Sequence, residues 1–130
     1  MNDKTIVAKT FVINSNGLIL TLRRSKTDIH RPLTWDLPGG GVEFGEDPVD
    51  AVIRETNEEA GIIINNPKIF NVTSKNDNGY VIRLLFYVYT DNENVKLSSE
   101  HDQFKWVTID EYINLALPDY HKDAAKQLPI

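Results

Sequence analysis

An α+β or mixed α/β fold is predicted for this chain by three observations. Strand-like segments dominate both ends, and one well-punctuated amphipathic helix lies between them. The length of 130 residues is below the ~150 typical of one domain, so a single unit spanning 1–130 is expected.

Ile6 to Ile13 is rich in β-branched and aromatic side chains and reads as a strand. The Asn-Gly pair of Asn14-Ser15-Asn16-Gly17 suits a tight hairpin turn, and Leu18, Leu20 and Leu22 alternate along a return strand. Ser25 to Thr34 is a polar loop. Trp35-Asp36-Leu37 is a short strand leading into Pro38-Gly39-Gly40-Gly41, where the backbone must bend or pass close to something. From Asp47 the period changes: Val49, Val52, Ile53, Thr56 and Ala60 form one helical stripe. Asp47 is a suitable N-cap, Pro48 a suitable first residue and Gly61 a suitable residue just past the end. Ile62-Ile63-Ile64, Lys68 to Ser74, Tyr80 to Thr90 and Phe104 to Val107 read as strands, with a turn at Asn76-Asp77-Asn78-Gly79. Ile109 to Leu115 and Tyr120 to Leu128 close the chain as two short helices.

Composition narrows the function. Nineteen acidic against fourteen basic residues give a net charge of −5, which opposes a broad basic face for duplex DNA or anionic lipid. No apolar run approaches the ~18 residues of a membrane span. The absence of cysteine excludes disulfides, zinc–thiolate sites and thiol nucleophiles, and fits a reducing cytoplasm. The N-terminus shows no signal-peptide core.

The central helix has a second, acidic face. Glu55, Glu58 and Glu59 fall within an arc of about 100° in the last turns, where like charges repel and the helix dipole disfavours them. Acidic triplets are common on solvated faces, but such carboxylates are also what Mg²⁺ or Mn²⁺ requires. Spacing separates these readings. Gly40, Glu46, Arg54, Glu55, Glu58, Glu59, Gly61 and Ile62 fit G-x5-E-x7-R-E-U-x-E-E-x-G-U, where U is bulky and apolar, over residues 40–62. The one departure is Thr56, whose hydroxyl is expected to bond back to the Ile53 or Val52 carbonyl.

This segment resembles the signature box of the Nudix hydrolases, and Trp35 to Gly40 resembles the family's approach to its loop–helix–loop. The resemblance implies an α/β/α sandwich on a mixed sheet. It also implies metal-dependent hydrolysis of a nucleoside triphosphate or another nucleoside diphosphate derivative, with Mg²⁺ or Mn²⁺ as cofactor. By position it makes Glu55, Glu58, Glu59 and the Gly39 carbonyl metal ligands, with Arg54 and Glu46 orienting the carboxylates. Glu55 and Glu100 are alternative bases. Dinucleoside polyphosphates, nucleotide sugars and ADP-ribose are alternative substrates. A silent nucleotide sensor is disfavoured because no box glutamate is missing.

Among substrate contacts, Gly40 lies in the glycine loop. Arg23 is favoured over Arg24 for a terminal phosphate, because alternation turns them to opposite faces. Lys9 on the first strand is a weaker candidate for the same contact, with an ordinary edge charge the favoured reading. Asp119 and Tyr120 lie where the resemblance implies a base pocket. Trp35 and Trp106 are assigned to packing rather than base stacking, and Tyr80 is a faint mark of dinucleoside polyphosphate hydrolases. His30, His101 and His121 are expected to be solvated. The partner is a small nucleotide, without nucleic acid or membrane, and the chain is a monomer or homodimer.

Overall fold

A computed structural model describes residues 4–76 and 79–130. Along the chain run β1 (Lys4–Ile13), β2 (Ile19–Arg24), β3 (Trp35–Asp36), β4 (Gly39–Gly41) and α1 (Pro48–Ala60). They are followed by β5 (Lys68–Asn76), β6 (Tyr80–Tyr89), β7 (His101–Val107), α2 (Ile109–Ile113) and α3 (Asp119–Ala125). The strands form one mixed sheet in the order β3-β2-β1-β6-β5, with β4 also on β1 and β7 on β2. Among the described residues only β1 and β6 run parallel, from Lys4 opposite Tyr80 to Ile13 opposite Tyr89.

Alternation along the strands separates two cores. Ala8, Val12, Leu20, Leu22, Phe86 and Val88 pack with Val52 and Ala60 of α1. Phe11, Ile13, Ile19 and Leu85 pack on the other face with Tyr112 of α2 and Ala124 and Ala125 of α3. The result is the α/β/α sandwich.

The first hairpin is closed by Asn14, whose Oδ1 accepts from the Asn16 and Leu18 amides at 3.0 and 2.9 Å. Beyond it the sheet forks. β1 meets β2 only at Ile13–Ile19, and β4 then takes that side of β1 at Val7 to Lys9. The Gly-rich segment is therefore a short strand as well as a bend.

Helix α1 is capped as its sequence predicts. Asp47 accepts from the Val49 amide at 2.8 Å, and Gly61 turns left-handed at φ 69° with its amide on the Asn57 carbonyl. Its buried face differs from the expected stripe. Ala51, Val52, Thr56, Glu59 and Ala60 are buried, whereas Val49 is exposed. At ~100° per residue Glu59 stands only about 20° from Val52 on the helical wheel, so a sheet centred on Val52 covers it too. Among the described residues the buried Thr56 hydroxyl has no hydrogen-bond partner, so the expected back-bond is not made. Ile62 to Ile64 forms no strand: Ile62 and Ile64 are buried and Ile63 is exposed, an extended alternation without a ladder. In the expected turn at Asn76 to Gly79, Asp77 and Asn78 lie outside the described residues.

Candidate functional site

A cavity of about 830 Å³ opens at the fork, bordered by β1, β4, α1 and the start of α3. Glu55, Glu59 and Glu100 supply acid to its wall, while Lys9, Arg24 and Arg83 supply base.

The glycines bring backbone to carboxylate. Gly39 adopts φ 135°, and a Cβ there would lie 2.6 Å from the Lys9 Cα and against the Ala8 carbonyl. A Cβ on Gly40 would lie 2.8 Å from the Glu55 carboxyl carbon. The Gly39 amide donates to Glu59 Oε1 at 3.0 Å, fixing a carboxylate that is only 7% exposed. Burial pushes the Glu59 carboxyl up to about 7, against the opposing pull of Lys9 and this amide. Burial also raises Glu55, with Arg54 opposing and Glu58 and Glu100 adding to the shift.

Arg54 organises the acidic side. Its guanidinium meets Glu46 through Nε at 2.9 Å and Nη2 at 3.0 Å. Its Nη1 reaches Glu55 at 3.2 Å and Glu58 at 3.3 Å. Glu58 is exposed and is not part of the cavity wall. Glu59, Glu100 and His101 bring one potential ligand atom each within 4.8 Å of the others. Their oxygen-rich chemistry, with Glu55 alongside, fits a hard divalent cation.

The basic side departs from the sequence expectation. Arg23 pairs with Asp102 at 2.8 Å, away from the cavity; Arg24 lines it instead. Alternation along β2 still turns the two to opposite faces, but it is Arg24 that continues the face of Leu20 and Leu22 packed against α1, and so reaches the cavity. Arg24 pairs with Asp28 at 3.0 Å and Asp36 at 2.6 Å. Lys9 is no edge charge: it is 6% exposed and meets Asp36 at 3.0 Å. Burial opposes the charge on Asp36, yet Lys9, His121 and Arg24 hold its carboxyl well below the usual range.

The histidines divide similarly. His30 is exposed as expected, but His101 and His121 are buried. Burial lowers both, His121 to about 3, and its two ring nitrogens lack hydrogen-bond partners. Gly40, Asp119 and Tyr120 border the cavity, and Arg83 stacks 4.2 Å from the Tyr120 ring centroid. Trp35 and Trp106 pack in or against the core, and Tyr80 pairs with Lys4 and Asn76. None of these three lines the cavity. Lys9 was underweighted by sequence reasoning, and Arg83 and His101 were missed as site residues. A lysine interrupting the buried run from Ala8 to Ile13 was the available signal for the first.

A family model described as NUDIX domain matches residues 3–129. A MutT-like protein of Streptomyces ambofaciens is 32% identical over 77% of this chain, which spans 61% of that protein's length. Of two other curated relatives the chain spans 33% and 27%. The nucleoside triphosphatase NudI of Escherichia coli is 30% identical, with 90% of each chain covered. The crystal structure of the MutT protein from Methanosarcina mazei superposes with a TM-score of 0.86 at 32% identity, covering 97% of this chain and 93% of that one. The sandwich, the glycine–carboxylate cradle and a match over nearly the whole length agree: this chain belongs to the Nudix domain family.

Proposed function

We propose that this chain is a divalent-metal-dependent pyrophosphohydrolase acting on a nucleoside triphosphate or a related nucleoside diphosphate derivative. The observation that carries this reading is that carboxylates and cations together line one cavity. A polyphosphate needs both, because bare carboxylates repel it and bare cations leave the carboxylates without a role.

Glu55, Glu58 and Glu59, with the Gly39 carbonyl, are the assigned holders of Mg²⁺ or Mn²⁺, and Glu100 adds a further carboxylate at the wall. When bound, the metal neutralises charge on phosphoryl oxygens and makes water more acidic. Arg54 keeps Glu55 and Glu58 apart and oriented through its bonds to both and to Glu46. Glu55 and Glu100 are the two wall carboxylates available to take the water proton. Arg24 binds phosphate oxygens, and Asp119 and Tyr120 receive the nucleoside end.

A panel of nucleotides incubated with Mg²⁺ or Mn²⁺, with pyrophosphate and orthophosphate scored separately, tests the reading. Pyrophosphate release from a triphosphate is the expected outcome. No turnover of any nucleotide with either metal would overturn it.

A further inference from the structure

Lys9 stands in the middle of β1, within a run buried from Ala8 to Ile13, and is itself 6% exposed. Among the described residues its ammonium has two partners, the Asp36 carboxylate at 3.0 Å and the Leu37 carbonyl at 3.3 Å. An ammonium carries three N–H groups, so one donor is left over, and Lys9 borders the cavity.

Stability alone does not account for this arrangement. A buried ion pair is commonly no more stabilising than apolar residues of the same volume, and Lys9 is the one charged residue in the buried run from Ala8 to Ile13. Nor is Asp36 left needing Lys9 as its sole counterion, because Arg24 holds it at 2.6 Å. Lys9 thus borders the cavity without being the sole counterion of Asp36.

We propose that Lys9 is a substrate-binding residue, donating its remaining N–H to a non-bridging oxygen of the polyphosphate, with Asp36 as the positioning residue that holds the ammonium in place. This rests on reading the cavity as a nucleotide polyphosphate site. Lys9 then meets the substrate from the sheet floor, on the opposite side of the phosphate chain from Glu55.

The test is binding rather than turnover. Calorimetry with α,β-methylene nucleoside triphosphates and Mg²⁺ compares the wild type with Lys9→Met. A hydrogen bond to a charged group corresponds to about 10- to 100-fold in affinity, and that loss is expected. If Lys9→Met does not fold, the double variant Lys9→Met/Asp36→Asn removes both buried charges together and replaces it. In the wild type the Lys9 Cε–Hε resonance should also shift on saturation with the analogue. Unchanged affinity in a folded variant, or an unmoved Lys9 resonance in saturated wild type, would overturn the assignment while leaving the cavity's reading intact. A wild type that binds none of the analogues would overturn that reading and the assignment with it.

Discussion

Arg54 reaches back across two turns of its own helix to grip Glu46 through two hydrogen bonds of 2.9 and 3.0 Å, tying the loop that follows β4 to the acidic face of α1. The same guanidinium touches Glu55 and Glu58, so the repulsion expected along that face is offset by one central cation.

Arg54→Ala should therefore lower turnover or metal affinity by about 10- to 100-fold while the protein remains folded. Steady-state kinetics over a metal titration, beside a thermal melt, checks this. Near wild-type kinetics would reduce Arg54 to a surface ion pair worth ~0–1 kcal/mol.

Two adjacent glycines should fail differently. In Gly40→Ala the new methyl meets the mobile end of Glu55, so folding survives and turnover drops by roughly 10- to 100-fold as that carboxylate is displaced. In Gly39→Ala the methyl meets fixed β1 backbone at φ 135°, and destabilisation of more than about 2 kcal/mol is expected. Denaturant melts and activity on both variants separate the two effects; equal behaviour would contradict the geometry.

Glu59 sets a pH dependence of the metal-free protein. Its folded value near 7 lies above the ordinary 4.5, so the folded chain retains a proton that the unfolded chain has released. Its contribution is full below pH ~4.5 and is lost as the pH rises through ~7. Glu59→Gln keeps an acceptor for the Gly39 amide and removes that loss. In chelator at pH 8 it should be more stable than wild type by roughly 2–3 kcal/mol, with little difference at pH 4. Added Mg²⁺ should raise the wild-type melting temperature more than the variant's, and turnover by the variant should be largely lost. Lower stability of Glu59→Gln in chelator at pH 8 would show that the charge itself supports the fold.

His121 acts in the opposite pH direction. Its folded value near 3 lies below the ordinary 6.5, so the unfolded chain binds a proton that the folded chain refuses. Stability falls as the pH drops from 6.5 towards 3, by at most about 1.4 kcal/mol per pH unit. His121→Leu should flatten the acid side of a melting-temperature profile measured between pH 7 and 4. An unchanged slope would assign the acid sensitivity to other groups, His101 first, since burial lowers its imidazole as well.

Local rules written in the sequence were readable where they act locally. The caps of α1 at Asp47 and Gly61 and the close approach at Gly39 follow from residue type alone. What was obscured depends on partners distant in the chain. Glu59 belongs to the acidic face by charge but is buried by β4, whose amide it accepts. Which of Arg23 and Arg24 reaches the cavity depends on the face of β2 that packs against α1, where Leu20 and Leu22 lie and Arg24 follows. Lys9 acquires its setting from Asp36, and His101 from a loop that returns to the helix end through the Ser98 amide on the Glu59 carbonyl. The Ile62–Ile64 run has the residue type of a strand but no neighbouring strand to complete it.

The parallel pairing of β1 with β6 has a consequence for the order in which the molecule can be built. A nascent chain ending before Tyr80 already contains the acidic helix, the glycine segment and Arg54, yet it lacks the strand beside which β1 is seated along its full length. Closing such a long loop is entropically costly and slow compared with forming a helix or hairpin. Lys9 is thus left without its finished surroundings until the second half of the polypeptide has emerged. The cavity should therefore take shape late in synthesis, once β6 has joined β1, rather than when the segment that carries the most recognisable residues emerges.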